Sequence, residues 1–443
     1  MKKSFLPAIL LLIFTLNGSG AAQNLPEPYQ EKLLNGLKVL VWNDPKTDKV
    51  TLKLRIHSGA AFDPKDKMGV MMMLSEILFP DPQTYDYFKD DLEGSLEVFS
   101  NYDYIQINAT GKADEFIDIL DTIRVGVVTT PITPENFIKV RDAMLTQAKE
   151  DAAKPAVMAD RAAAKRLLGD YPYGRPANGT PESIAKIDRF DLVTAKEKFL
   201  DADNATLAIT GRIDPRFAVK AAKQMLGNWQ KSDAIVPATF AQPLEADTRV
   251  LLVDQPGAEN AEVRLAVRGL ASNDRDAPAA IFWIVALGEK LKTSLPAECG
   301  SGVKVSHQKR QLPGLLLISA VFPTDITGKC FNTLKNVIAK ADTDKIRPDF
   351  FNAAKDGFLG ALNGRASELE VVSELWLNTD TFKWGKVSGQ LKLLNDATPA
   401  DGDKVAARIF WKAPVVSVIV GDAAKIKPQF ETATPAATPE TKP

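Results

Sequence analysis

Ala205-Thr206-Leu207-Ala208-Ile209-Thr210-Gly211 has a counterpart 210 positions later, Val415-Val416-Ser417-Val418-Ile419-Val420-Gly421. Each is a near-continuous apolar run ending in glycine, which is the pattern of a buried strand. Each also has a matching start. Gly36-Leu37-Lys38-Val39-Leu40-Val41-Trp42-Asn43 and then Val50-Thr51-Leu52-Lys53-Leu54-Arg55-Ile56 open the first stretch. Arg249-Val250-Leu251-Leu252-Val253-Asp254 and then Val263-Arg264-Leu265-Ala266-Val267 open the second, 212 positions on, from 37 to 249. Each opening reads as two adjacent strands. Two separate markers with nearly one spacing favour an internal duplication, and a repeat has to be recognised before any fold is assigned.

Between the markers the apolar period becomes helical. Helices are expected over 114–128, 134–152 and 156–168 in the first copy, and over 277–291, 328–341 and 348–375 in the second. Strands, then helices, then a closing strand predict an α+β chain of two homologous lobes, each a mostly antiparallel sheet with helices on one face. Pro237 and Pro243 mark 232–247 as a linker between a lobe at 25–231 and a lobe at 248–430. Thr, Pro and Ala dominate 431–443, which reads as a disordered tail.

The chain has 443 residues, 45% hydrophobic and 25% charged, a soluble globular balance with room for two or three domains. A net charge of −1 gives no field for a polyanion, so no nucleic-acid partner is expected. Lys2 and Lys3, the apolar run Phe5–Leu16 and the small residues ending at Ala22 follow the order of an export signal, so 1–22 is expected to be removed. A periplasmic or extracellular location follows, with no membrane span after signal removal. Cys299 and Cys330 are the two cysteines; a single bridge and two buried thiols both remain open.

Several stretches in order resemble the pitrilysin/insulinase family of zinc peptidases, whose members carry H-x-x-E-H on a helix. His57-Ser58-Gly59-Ala60 with Asp63-Pro64 looks like the loop after the second strand. Gly69-Val70-Met71-Met72-Met73-Leu74-Ser75-Glu76-Ile77-Leu78-Phe79 looks like the zinc helix. Tyr171-Pro172-Tyr173-Gly174 and Gly179-Thr180-Pro181-Glu182-Ser183-Ile184 resemble a further family stretch. The resemblance runs from about Leu33 to Phe430 and implies the LuxS/MPP-like metallopeptidase fold. Laid on that helix, the two zinc histidines fall on Met72 and Glu76 and the catalytic glutamate on Ser75. The third ligand falls near Gln147, with Glu150 one turn away.

These replacements remove the chemistry. Catalytic zinc takes three protein ligands and a water, and a thioether is a poor substitute for imidazole. A serine cannot be the carboxylate base for a metal-bound water. His57 and His307 are the chain's two histidines, and neither is on this helix. Met71, Met72 and Met73 read as core or groove filling, and Glu76 as a helix carboxylate. Some family members instead supply an Arg and a Tyr that grip the substrate carbonyl, in a segment read as L-R-E-x-x-G-x-x-Y. Here Leu295-Pro296-Ala297-Glu298-Cys299-Gly300-Ser301-Gly302-Val303 places Pro296 and Val303 at those positions, so the grip is lost as well.

No phosphate loop or G-x-S-x-G elbow is present, and the acidic run Asp81, Asp86, Asp90, Asp91 lacks calcium-loop spacing. The expectation is therefore a catalytically inactive, exported homologue with no cofactor. It would act as a non-catalytic subunit or peptide-binding scaffold that partners an active zinc-peptidase homologue. By resemblance, an extended peptide would add to the strand holding Val98, Phe99, Ser100 and Asn101. The alternatives are an active zinc endopeptidase with a non-standard ligand set and a stand-alone envelope structural protein.

Overall fold

The computed structural model describes residues 26–232 and 234–431. The expected export signal, and the tail beyond Glu431, lie outside the described residues. The first lobe holds strands β1 (Tyr29–Lys32), β2 (Lys38–Asn43), β3 (Lys49–Ile56), β4 (Ser95–Ser100), β5 (Ile105–Lys112) and β6 (Ala205–Gly211). Its helices are α1 (Val70–Ile77), α2 (Pro82–Asp90), α3 (Phe116–Arg124), α4 (Pro134–Ala152), α5 (Pro155–Leu168), α6 (Pro181–Ala185), α7 (Arg189–Phe199) and α8 (Pro215–Leu226). The second lobe holds β7 (Leu251–Asp254), β8 (Asn260–Arg268), β9 (Lys304–His307), β10 (Leu315–Pro323) and β11 (Val416–Gly421). Its helices are α9 (Ala277–Ser294), α10 (Thr327–Ile338), α11 (Pro348–Gly364), α12 (Leu369–Thr381), α13 (Val387–Asp396), α14 (Pro399–Phe410), α15 (Ala423–Ile426) and α16 (Pro428–Glu431).

The sheets run β1-β2-β6-β3-β5-β4 and β7-β11-β8-β10-β9, one order apart from the extra β1. In both, the closing strand is parallel to the opening strand (β2 with β6, β7 with β11) and the remaining pairs are antiparallel. The expectation of adjacent opening strands is corrected here, because β6 lies between β2 and β3 and β11 between β7 and β8. The reason lies in the residues: every side chain of β6 and of β11 is buried, and a strand covered on both faces belongs in the middle of a sheet.

Helix starts follow local rules. Thr133, Thr180, Asp214 and Thr398 accept a backbone N–H from the first turn, each followed by proline, which has no N–H to leave unpaired there. The single helix expected over 348–375 is two, α11 and α12, broken at 365–368. Gly360 and Gly364 weaken the end of α11, and Leu369 must turn to lead α12 toward the other lobe.

Each sheet has its own lobe's helices on one face and a helix of the other lobe on the opposite face. Ala159, Ala163 and Leu167 of α5 pack with Leu315, Val416 and Val418 of the second sheet. Val372, Trp376 and Leu377 of α12 pack with Leu40 and Ala208 of the first. Cys299 and Cys330 are bridged, which joins the turn before β9 to α10.

Candidate functional site

The start of α1 is fixed from behind. Gly69, at φ +104°, turns the chain into the helix in a conformation that favours glycine. The buried Asp63 carboxylate accepts N–H bonds from Gly69 at 2.7 Å and Met71 at 2.9 Å. Arg175 donates to the carbonyls of Asp63 and Ala61. Burial pushes the Asp63 carboxyl up to about 7, outweighing the two backbone donors and Arg175. Sequence reading missed this role, because a carboxylate seven residues before the first helical residue leaves no local periodic signal.

Met71, Met73, Leu74 and Ile77 of α1 enter the first core, whereas Met72 and Glu76 are half-buried. A separation of four residues puts these two on one helix face, so the positions that the resemblance assigns to zinc ligands lie side by side. Ser75 is buried, and its hydroxyl donates to the Met72 carbonyl at 2.7 Å. Tyr85 lies near enough to Glu76 that burial and then the Glu76 charge push its phenol up to about 12. Gln147 sits on an exposed stretch of α4 and donates to Asp151 at 3.1 Å.

A catalytic zinc does not fit this set. Met72 offers a thioether, Ser75 a hydroxyl committed to its own helix, and Gln147 an amide bonded to a neighbour, which leaves Glu76 as the single strong donor. Neither histidine is near replacement duty. His57 lies between the hydroxyls of Thr381 and Thr206, and the Nε2 of His307 accepts the N–H of Leu270 at 2.9 Å.

β4 is the edge of the first sheet beyond β5, paired from Ser95↔Thr110 to Ser100↔Ile105. Leu96 and Val98 face the core, and the Phe99 ring meets Tyr104 with centroids 6.1 Å apart. Asn101 differs from the other three candidate positions, because it lies past the strand. Its side chain accepts the N–H groups of Asp103 and Tyr104, and its carbonyl accepts that of Ala60, so it forms the turn into β5. In the second lobe, Pro296 leads into the turn held by the disulfide and Val303 is buried in the core.

The fold is a two-lobed α+β architecture, and the donors that α1 presents do not suit a hydrolytic zinc centre. The family described as "Peptidase M16 inactive domain" matches residues 186–358, a stretch that lies after α1. An uncharacterized zinc protease of Rickettsia felis is 20% identical over 219 residues, covering 47% of this chain and 52% of the relative. The chain thus spans about half the length of that curated relative. A peptidase M16 inactive domain from Pseudomonas fluorescens superposes with a TM-score of 0.80 at 18% identity, over 90% of this chain and 98% of that one. The periplasmic protease PqqL from Escherichia coli gives 0.69 at 13% identity, over 94% and 50%. Residues 186–358 are thus similar to the peptidase M16 inactive domain, the fold is that of the M16 structures, and the sequence contains no H-x-x-E-H motif.

Proposed function

We propose that this chain is an exported, catalytically inactive M16 homologue that holds an extended peptide along β4 and works beside an active homologue. The observation that carries this reading is the pairing of an open sheet edge with a motif helix whose ligand positions are Met72 and Glu76. Backbone groups on such an edge bind a peptide without any metal, and pockets along the strand choose its side chains. Val98, Phe99 and Ser100 are the strand positions that would meet it.

Export is supported by the Cys299–Cys330 bridge, since such bonds persist in oxidising compartments. Among the described residues no helix is long and apolar enough to cross a membrane. The periplasmic location of PqqL agrees with this reading. The expected partner is an intact H-x-x-E-H chain, because a scaffold with one carboxylate in its motif supplies no hydrolysis of its own.

The test is capture from native envelope extract on the full chain, probed for a zinc-bearing relative, together with metal analysis of the purified protein. Co-purification of such a relative with sub-stoichiometric zinc in this chain is expected. Stoichiometric zinc with chelator-sensitive peptide cleavage would replace this reading with that of an active endopeptidase.

A further inference from the structure

We infer that neither lobe is a self-sufficient domain: each sheet is completed by a helix from the other lobe, and the chain folds as one cooperative unit closed by two equivalent basic latches. The latches become visible through the strand registers. Lys53 of β3 lies opposite Ala208, and Arg264 of β8 lies opposite Val418. Positions 208 and 418 match in the two closing strands, so Lys53 and Arg264 occupy the same place in their sheets.

Both reach into the helix that the other lobe provides. Lys53 donates to the Glu370 carbonyl at 3.0 Å and lies 3.5 Å from the Glu374 carboxylate on α12. Arg264 donates to the Ala156 carbonyl at 3.4 Å and to the Asp160 carboxylate at 2.5 Å on α5. In each case the acceptors are a carbonyl and a carboxylate four residues apart, one helical turn. The chain thus makes one contact twice, with the lobes exchanging roles.

The rest of each seam fits this reading. Arg55, Thr210 and Arg264 are nearly or wholly buried, yet all lie on sheet faces that their own lobe's helices leave uncovered. Separating the lobes would expose Leu40, Ala208, Trp376, Val416 and Val418 to water and remove the helix acceptors of Lys53 and Arg264, leaving Arg264 the Glu262 carboxylate of its own strand. What joins the lobes is therefore packing and paired charge, to which the connecting segment adds Phe240, whose ring meets Phe62 and Tyr171, and Gln242, which accepts from Arg268.

The experiment uses the full chain with a specific protease site inserted beside the exposed Leu244. After cleavage, the two fragments are expected to co-elute in gel filtration without denaturant, and the uncut chain to unfold in a single urea transition by both fluorescence and circular dichroism. Separate elution, or two transitions in the uncut chain, would overturn the inference. A second measurement is hydrogen exchange on W376A, altered in α12 of the second lobe. Amides of β6 in the first lobe are expected to exchange roughly tenfold faster or more. Changes confined to the second lobe would overturn it too.

Discussion

Ser75, where the resemblance places the family's base, has no room for a carboxylate. It is 1% exposed, and its hydroxyl is satisfied within the helix. A glutamate there would carry a charge into the core of the first lobe, so S75E is expected to cost about 2 kcal/mol or more. Urea melts compare it with the parent, and a change inside about 0.5 kcal/mol, the ordinary surface range, would contradict this packing. The two histidines are equally constrained. Burial, and then Arg55, lower the His57 imidazole to about 3, and burial with Lys309 lowers His307 to about 4. Both values lie below the unfolded value of 6.5, so the stability they contribute is complete above that pH and is lost as pH falls through it toward the folded values. Proton NMR should therefore show neither ring titrating between about pH 8 and 5.5; a midpoint near the free-imidazole value of about 6.5 would show that the ring is not enclosed as described. Asp63 acts with the opposite sign, since its raised carboxyl stabilises most below the unfolded value of 3.8 and loses that contribution as pH rises through about 7.

Among elements, those read correctly were those whose pattern is local. The runs at 205–211 and 416–421 are strands because apolar residues repeat without a polar face, and α4 starts at Pro134 after a capping Thr133. Strand order was not legible, because hydrophobicity marks β6 as central without naming its neighbours. The break between α11 and α12 was missed for a related reason: helical period continues across Gly364 to Leu369, and the turn is imposed by where α12 docks. Of the candidate site, Met72 and Glu76 were legible as a pair at helical spacing, whereas the departure of Asn101 into a turn depends on Asp103 and Tyr104 folding back onto it. The disulfide was open from sequence, since two cysteines 31 residues apart fix no distance. It closes a loop of that length with Cα atoms 5.8 Å apart, and C299S/C330S is expected to lose about 2–4 kcal/mol by restricting the unfolded chain less. Thermal melts with and without reductant measure this, and a parent whose melt ignores reduction under unfolding conditions would refute it.

At the scale of the molecule, alternation in β3 announced a polar face and gave no sign that another lobe covers it. Arg55 is wholly buried there, with its guanidinium 3.9 Å over the Tyr104 ring. It donates to Gln106 at 2.6 Å, to Asn378 at 2.8 Å, to Thr381 at 3.1 Å and to the Glu374 carboxylate. Burial alone would raise the Glu374 carboxyl, but the Arg55 and Lys53 charges overcome it and hold the group below its usual range. Arg55 is buried and Glu374 half-buried, so the pair adds little net stability against a well-packed apolar replacement, yet removing Glu374 strands the buried Arg55 charge. E374L is therefore expected to destabilise the chain by about 3 kcal/mol or more, because Arg55 keeps only neutral acceptors on α12. R55M/E374L removes both charges and is expected to recover most of that loss, giving a coupling energy of at least about 1 kcal/mol in a double-mutant cycle. If the two losses simply add, Arg55 and Glu374 act as independent contacts, and the α12 seam rests chiefly on the apolar packing of Val372, Trp376 and Leu377 against Leu40 and Ala208.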